Sequence, residues 1–273
     1  MADEPPPPLL APRDYAAPSV FTVAHLLAGA RAQKHLPSAM VPPICLFDPD
    51  GDLVEYLRQT GQSIPDATWA CYHTTLDRFA HAGHPYGIVG RVVGAPFAVM
   101  VAEELFASGC ELLISITSAG QIVPLADPPY FVLIEEALRD EGTSYHYLPP
   151  AAFSAISPAL RAALRAEWRQ AQHPLRFGRS WTTDAPFRET APLITQAHAL
   201  GIAAVEMEAA ALYALAMVQH RAIICFAHIT NQLGQGDAEF EKGQANGSLA
   251  MLAIIAETTR IWHAAQAAES EYP

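Results

Sequence analysis

The sequence predicts a single-domain α/β/α sandwich around a central, mostly parallel or mixed sheet. Short apolar runs alternate with helical segments along the chain. Turns rich in Gly, Pro or Asp close several of these runs, and no repeat or linker divides the chain. With 273 residues, 51% of them hydrophobic and 16% charged, the chain can bury one large core.

The first dozen residues hold five prolines, so residues 1–18 are expected to form a disordered tail ahead of a domain over 19–273. Residues 21–34 have helical periodicity. Residues 42–47 (PPICLF) form a short buried strand before the turn DPDGD, and 54–59 resume helix. Residues 86–93 read as strand, 97–108 as a helix stopped by Gly109, 112–116 (LLISI) as strand and 117–120 (TSAG) as the following loop. Helices are expected within 129–142 and over 158–172, then a polar loop over 178–190. A long helix is expected over 203–218, a strand over 222–229, a loop over 230–236 and a last helix over 246–268.

The formal net charge of −12 disfavours nucleic acid and anionic membranes as partners, because binding polyanions takes clustered cations. Cys45, Cys71, Cys110 and Cys225 have no zinc or CxxC spacing and read as buried free thiols of a reducing compartment. The chain shows no signal-peptide pattern and no run near the roughly 18 apolar residues of a membrane span, so a cytoplasmic protein is expected. In α/β sheets ligands sit at the carboxyl ends of strands. That rule selects the loops at 48–52, 93–96, 117–120 and 229–234 as the walls of a cleft.

Two segments carry a resemblance. Residues 94–120, GAPFAVMVAEELFASGCELLISITSAG, and residues 205–215, VEMEAAALYAL, resemble the nucleoside phosphorylase family of uridine and purine nucleoside phosphorylases. A weaker likeness runs from about residue 41 to the last helix. The resemblance implies one cleft for base and ribose, with phosphate as co-substrate and no cofactor. It assigns Met207 and Glu208 to the ribose, and Ser118, Ala119 and Gly120 to the substrate and anion loop. A carboxylate can accept from two sugar hydroxyls at once, which suits Glu208. Glu206 lies on another helical face and reads as a supporting or dipole residue. Phe187 and Arg188 fall where the family covers or hydrogen-bonds the base; a ring and a guanidinium suit its π faces and polar edges.

The sequence also departs from the family. Leu53 and Ser115 stand where phosphate-binding arginines are expected, leaving Arg91, with Gly94 and Ser118, as the candidate anion site. Asn231 stands where the family commonly has its catalytic Asp. An amide can hydrogen-bond a purine base but cannot act as a general acid. Asp237, Glu239, Glu241 and Lys242 follow as further acid candidates, and His228 at the strand end is a candidate for proton transfer. No carboxylate–histidine spacing suggests a metal.

The expected activity is that of a pentosyltransferase, a nucleoside phosphorylase releasing free base and pentose 1-phosphate. The alternatives are a nucleosidase, with water as nucleophile, and a non-catalytic nucleoside-binding protein. A homo-oligomer, trimer or hexamer, is implied by the resemblance, and the mean hydropathy of +0.13 agrees with it.

Overall fold

A computed structural model describes residues 8–168, 175–232 and 241–271 of the chain. Its first half runs α1 (Val23–Lys34), β1 (Ile44–Asp48), α2 (Asp52–Gln59), β2 (Ser63–Pro65), β3 (Asp77–His81), β4 (His84–Gly90), α3 (Ala95–Ala107) and β5 (Leu112–Gln121). Its second half runs β6 (Tyr130–Asp140), α4 (Ser144–Tyr147), β7 (Phe153–Ala155), α5 (Pro158–Glu167), β8 (Leu175–Thr183), α6 (Ala191–Ala199), β9 (Ile202–Glu206), α7 (Ala209–Gln219), β10 (Ala222–Gln232) and α8 (Ser248–Glu271).

The ten described strands form one mixed sheet. β1 lies between β4 and β5, parallel to both, and β5 is also parallel to β10. β10 pairs antiparallel with β6, which continues in parallel through β8 to β9. β9 returns antiparallel to the end of β5 at Gly120–Val205, so β5, β10, β6, β8 and β9 close on themselves. β5 is the hinge of this arrangement: Leu112–Ser115 belong to the open sheet with β1, and Gly120 and Gln121 to the closed half.

Local signals explain the elements that the sequence places correctly. α3 starts after Gly94, whose φ of 90° suits a residue without a Cβ, and carries Pro96 in its first turn, where no intrahelical N–H is needed. It ends at Gly109, with φ 103°. The four cysteines are free and buried.

Five expectations are corrected. Residues 129–142 hold a strand rather than a helix, because Tyr130–Ile134 are buried on both faces between β10 and β8; a fully buried run loses the alternation that marks a strand. Much of the polar loop expected over 178–190 is β8, whose Ser180 and Thr182 find buried partners in the tertiary structure. The long helix expected over 203–218 is β9 followed by α7, broken at Met207–Glu208. The TSAG loop is the last part of β5, held by β10 and β9. β10 runs on to Gln232 rather than yielding to a loop at 230, and residues 233–240 lie outside the described residues. In the N-terminal segment, Arg13 Nη1 lies 2.8 Å from His146 Nδ1 beside α4.

Candidate functional site

The turn after β1 is shaped by Asp48. Its buried carboxylate accepts the backbone N–H groups of Gly51 (3.2 Å) and Val54 (2.9 Å), fixing the entry to α2. Burial pushes the Asp48 carboxyl up to about 6. The same turn brings Asp50 to the end of β5. There Asp50 Oδ2 accepts the backbone N–H of Ser118 at 3.2 Å and the Ser118 hydroxyl. Lys242, on the connection leading to α8, places Nζ 2.5 Å from Asp52 Oδ2 and 3.4 Å from Asp50 Oδ2.

The second wall is the break between β9 and α7. Glu206 is buried at the end of β9 and accepts from Ser180 Oγ (2.9 Å), Thr182 Oγ1 (2.5 Å) and the backbone N–H groups of Glu208 and Ala209 (2.7 Å each). It satisfies N–H groups that a helix start leaves without intrahelical partners, which is why the chain turns here. Burial raises its carboxyl above the usual range.

Glu208 is equally buried. Its Oε1 accepts the N–H of Gly94 at 2.7 Å, and its Oε2 has no hydrogen-bond partner. Burial first, and then the charge of Glu206, push the Glu208 carboxyl up to about 8. An unpartnered buried carboxylate oxygen is costly unless something completes it, and a sugar hydroxyl is a suitable donor.

These walls enclose a cleft of about 350 Å³. Ser118, Ala119, Gly120, Phe187, Met207, Glu208 and Asn231 line it together with Asp50 and Glu189. Phe187 lies at its surface, 99% exposed. Among the described lining residues there is no Lys or Arg.

Other candidates stand elsewhere. Arg91 adopts a left-handed φ of 63° and lies across Gly51. Its Nη2 is 3.6 Å from Glu55 Oε2 and its side chain is 69% exposed, so it does not line the cleft where an anion site was expected. Gly94 spends its N–H on Glu208. Arg188 is exposed in the short turn Pro186–Arg188 and is not a lining residue. Glu241 is exposed, and its N–H donates to Thr230 O at 3.0 Å. Asp237 and Glu239 lie outside the described residues.

His228 lines a separate cavity of about 220 Å³ with Tyr130, Phe131 and Leu249, stacked on Phe131 with centroids 4.4 Å apart. Burial lowers its pKa to about 4, so the ring is uncharged near neutral pH. Among the described residues no cluster of His, Cys, Asp and Glu could hold a metal ion.

Sequence reasoning missed Asp50 as a cleft residue and Glu206 as the cap of α7. The strand-end rule did select the 48–52 turn. Which of its three aspartates faces the cleft depends on the turn geometry that Asp48 and Gly51 impose.

The connection into α8 is also tightly specified. Gly247 has φ 83°, and an added Cβ would meet His228 Cε1 and lie 2.8 Å from the Lys242 carbonyl oxygen. Gly247→Ala is therefore expected to destabilise the protein by roughly 1–3 kcal/mol, read as a lower Tm in thermal denaturation. An unchanged Tm would mean that this glycine is not pressed against His228.

A profile of the phosphorylase superfamily matches residues 43–260. An uncharacterized protein of Acanthamoeba polyphaga mimivirus is 29% identical over 154 residues, a match spanning 56% of this chain and 59% of that protein. Among solved structures, uridine phosphorylase from Vibrio fischeri ES114, complexed with 6-hydroxy-1-naphthoic acid, superposes with a TM-score of 0.69 at 20% identity, covering 84% of this chain and 98% of the other. A second structure of that enzyme gives 0.68 at 21% identity, over 83% and 95% of the two chains. The fold is thus that of the uridine phosphorylase structures. Among the described residues no helix is long and apolar enough to cross a membrane.

Proposed function

This chain belongs to the phosphorylase superfamily, and we propose that it cleaves the N-glycosidic bond of a nucleoside with water as the acceptor. One observation carries the choice of water: the Asp50 carboxylate already takes the N–H and hydroxyl of Ser118, the donors that the family resemblance offers to phosphate. A phosphate there would face a carboxylate whose one neighbouring described cation, Lys242, sits closer to Asp52 and does not line the cleft. Two like charges 4 Å apart repel by about 4 kcal/mol at an effective dielectric of 20. A neutral water meets no such penalty and can donate to Asp50.

In this reading Glu208 Oε2 accepts a ribose hydroxyl, and Phe187 and Asn231 meet the base by stacking and by an amide hydrogen bond. Water held by Asp50 attacks the anomeric carbon as the C–N bond breaks. Its proton passes to Asp50, the oxygen forms the new C–O bond, the departing base nitrogen takes up a proton from solvent, and Asp50 then returns its proton to solvent, giving free base and free pentose. Phosphorolysis is the second reading, favoured by Lys242, whose ammonium stands 3.4 Å from Asp50 and would face an anion if Asp50 moved aside.

Product analysis decides between them. Purified protein given nucleosides with and without phosphate is expected to release base and free pentose at a rate independent of phosphate. Formation of pentose 1-phosphate would establish phosphorolysis instead, and binding without turnover would identify a nucleoside-binding protein.

A further inference from the structure

Lys242 is the residue on which the anion position, the turn after β1 and the connection into α8 converge. Its ammonium contacts Asp52 and Asp50, and Asp50 in turn holds both donors of Ser118. The strand of connection that carries it is tied down on both sides: Glu241 N–H to Thr230 O at 3.0 Å, Asn246 Nδ2 to Asp52 Oδ1 at 3.4 Å and Ser248 Oγ to the Asp52 carbonyl at 3.3 Å. Ala245, Asn246 and Gly247 all take left-handed backbone conformations in the same few residues, and two of them are not glycine. Such a path costs energy and persists only where surrounding contacts enforce it. Lys242 is three-quarters buried, facing Asp50 and Asp52, with Asp48 behind the turn and the uncharged His228 beside it.

We infer that Lys242 is a positioning residue: it is the cation that balances Asp50 and Asp52 and holds the Asp50 carboxylate against Ser118, from a segment 192 residues away in sequence. The kinetic half of this inference rests on the hydrolytic reading above; the structural half does not. Lys242 does not line the nucleoside cleft, so its loss acts on the attacking group and not on nucleoside binding.

The test uses the full chain carrying Lys242→Met or Lys242→Arg, each compared with wild type by hydrogen exchange and by nucleoside hydrolysis. In Lys242→Met, amide exchange in the peptide covering 117–121 is expected to quicken on the order of 10-fold, as the Ser118 N–H loses its fixed acceptor. Lys242→Arg, which keeps the charge, is expected to restore protection. Hydrolysis by Lys242→Met is expected to lose kcat on the order of 10-fold to 100-fold with little change in KM, since a small misplacement of a reacting group costs that much. In an Asp50→Asn background the same Lys242 substitution is expected to have almost no further effect, because the two residues act as one unit.

Unaltered exchange at 117–121 in Lys242→Met overturns the inference, as does an equal kinetic loss with and without Asp50. If the wild type releases no free pentose, the hydrolytic reading fails by itself, and the exchange arm, run without substrate, still decides whether Lys242 holds Asp50.

Discussion

Replacing Asp50 by Asn is expected to lower the rate of nucleoside hydrolysis on the order of 10²-fold to 10⁴-fold, the range typical of removing a general base. The amide keeps the shape of the side chain and can still accept from Ser118. It cannot take a proton from water. Nucleoside affinity, measured by ligand titration, is expected to change little, since the proposed ribose and base contacts are assigned to other cleft residues, Glu208, Phe187 and Asn231. The variant also separates the two chemistries. Under phosphorolysis Asp50 opposes the co-substrate, so removing its charge would raise activity at low phosphate. A phosphate-dependent gain in Asp50→Asn would therefore reverse the hydrolytic assignment, and a rate equal to wild type would remove Asp50 from the mechanism.

Glu208→Gln is expected to act on activity and stability in opposite directions. Under the proposed reading, the ionised carboxyl makes charge-assisted hydrogen bonds of about 1.5–3 kcal/mol to the sugar hydroxyls, and it ionises in the folded protein only above about pH 8, so kcat/KM is expected to fall on the order of 10-fold or more there and less at lower pH.

The stability effect follows from the raised carboxyl. In the folded protein Glu208 holds its proton up to about 8, whereas in the unfolded chain it ionises in the ordinary carboxylate range. The fold thus prefers the protonated form. Its contribution is fully present below the unfolded value and is lost as pH rises through the folded one. Glutamine is permanently neutral and escapes this loss. The variant is expected to match wild type in Tm at acid pH and to exceed it above pH 8, by something on the order of 5 °C. A Glu208→Gln protein that is no more stable than wild type at high pH would mean that the buried carboxylate pair is relieved in some other way. Wild-type kinetics would take Glu208 out of the sugar site.

How much of the site can be read from the sequence depends on where each residue's partners come from. Ser118, Phe187, Met207, Glu208 and Asn231 are all found lining one cleft, in segments selected by the strand-end rule and the family resemblance, although β5 and β10 run further than expected and Met207–Glu208 break a helix expected to be continuous. Arg91 looked suitable by its distance from Gly94 in sequence. A left-handed turn at that residue lays it across Gly51 toward Glu55, and no sequence spacing encodes that direction. His228 is one strand position pair away from the cleft edge, yet it stacks on Phe131 in a different cavity.

The α/β class, the helices with clear amphipathic or capping signals and the buried thiols are legible in the chain, because they follow from local periodicity, apolar runs and turn chemistry that act over a few residues. The segment that supplies Glu208 is legible through its resemblance to the family, while its periodicity points to a continuous helix. Only the tertiary structure decided that 130–140 and 202–206 are strands, since a run buried on both faces shows no period of its own and takes its form from its neighbours. It alone decided that Glu206 caps α7. It also brought Lys242 to Asp50, 192 residues away, whose carboxylate accepts from the N–H and hydroxyl of Ser118. Electrostatic pairing depends on distance in space, and that distance exists only once β1, β5 and the connection into α8 have met.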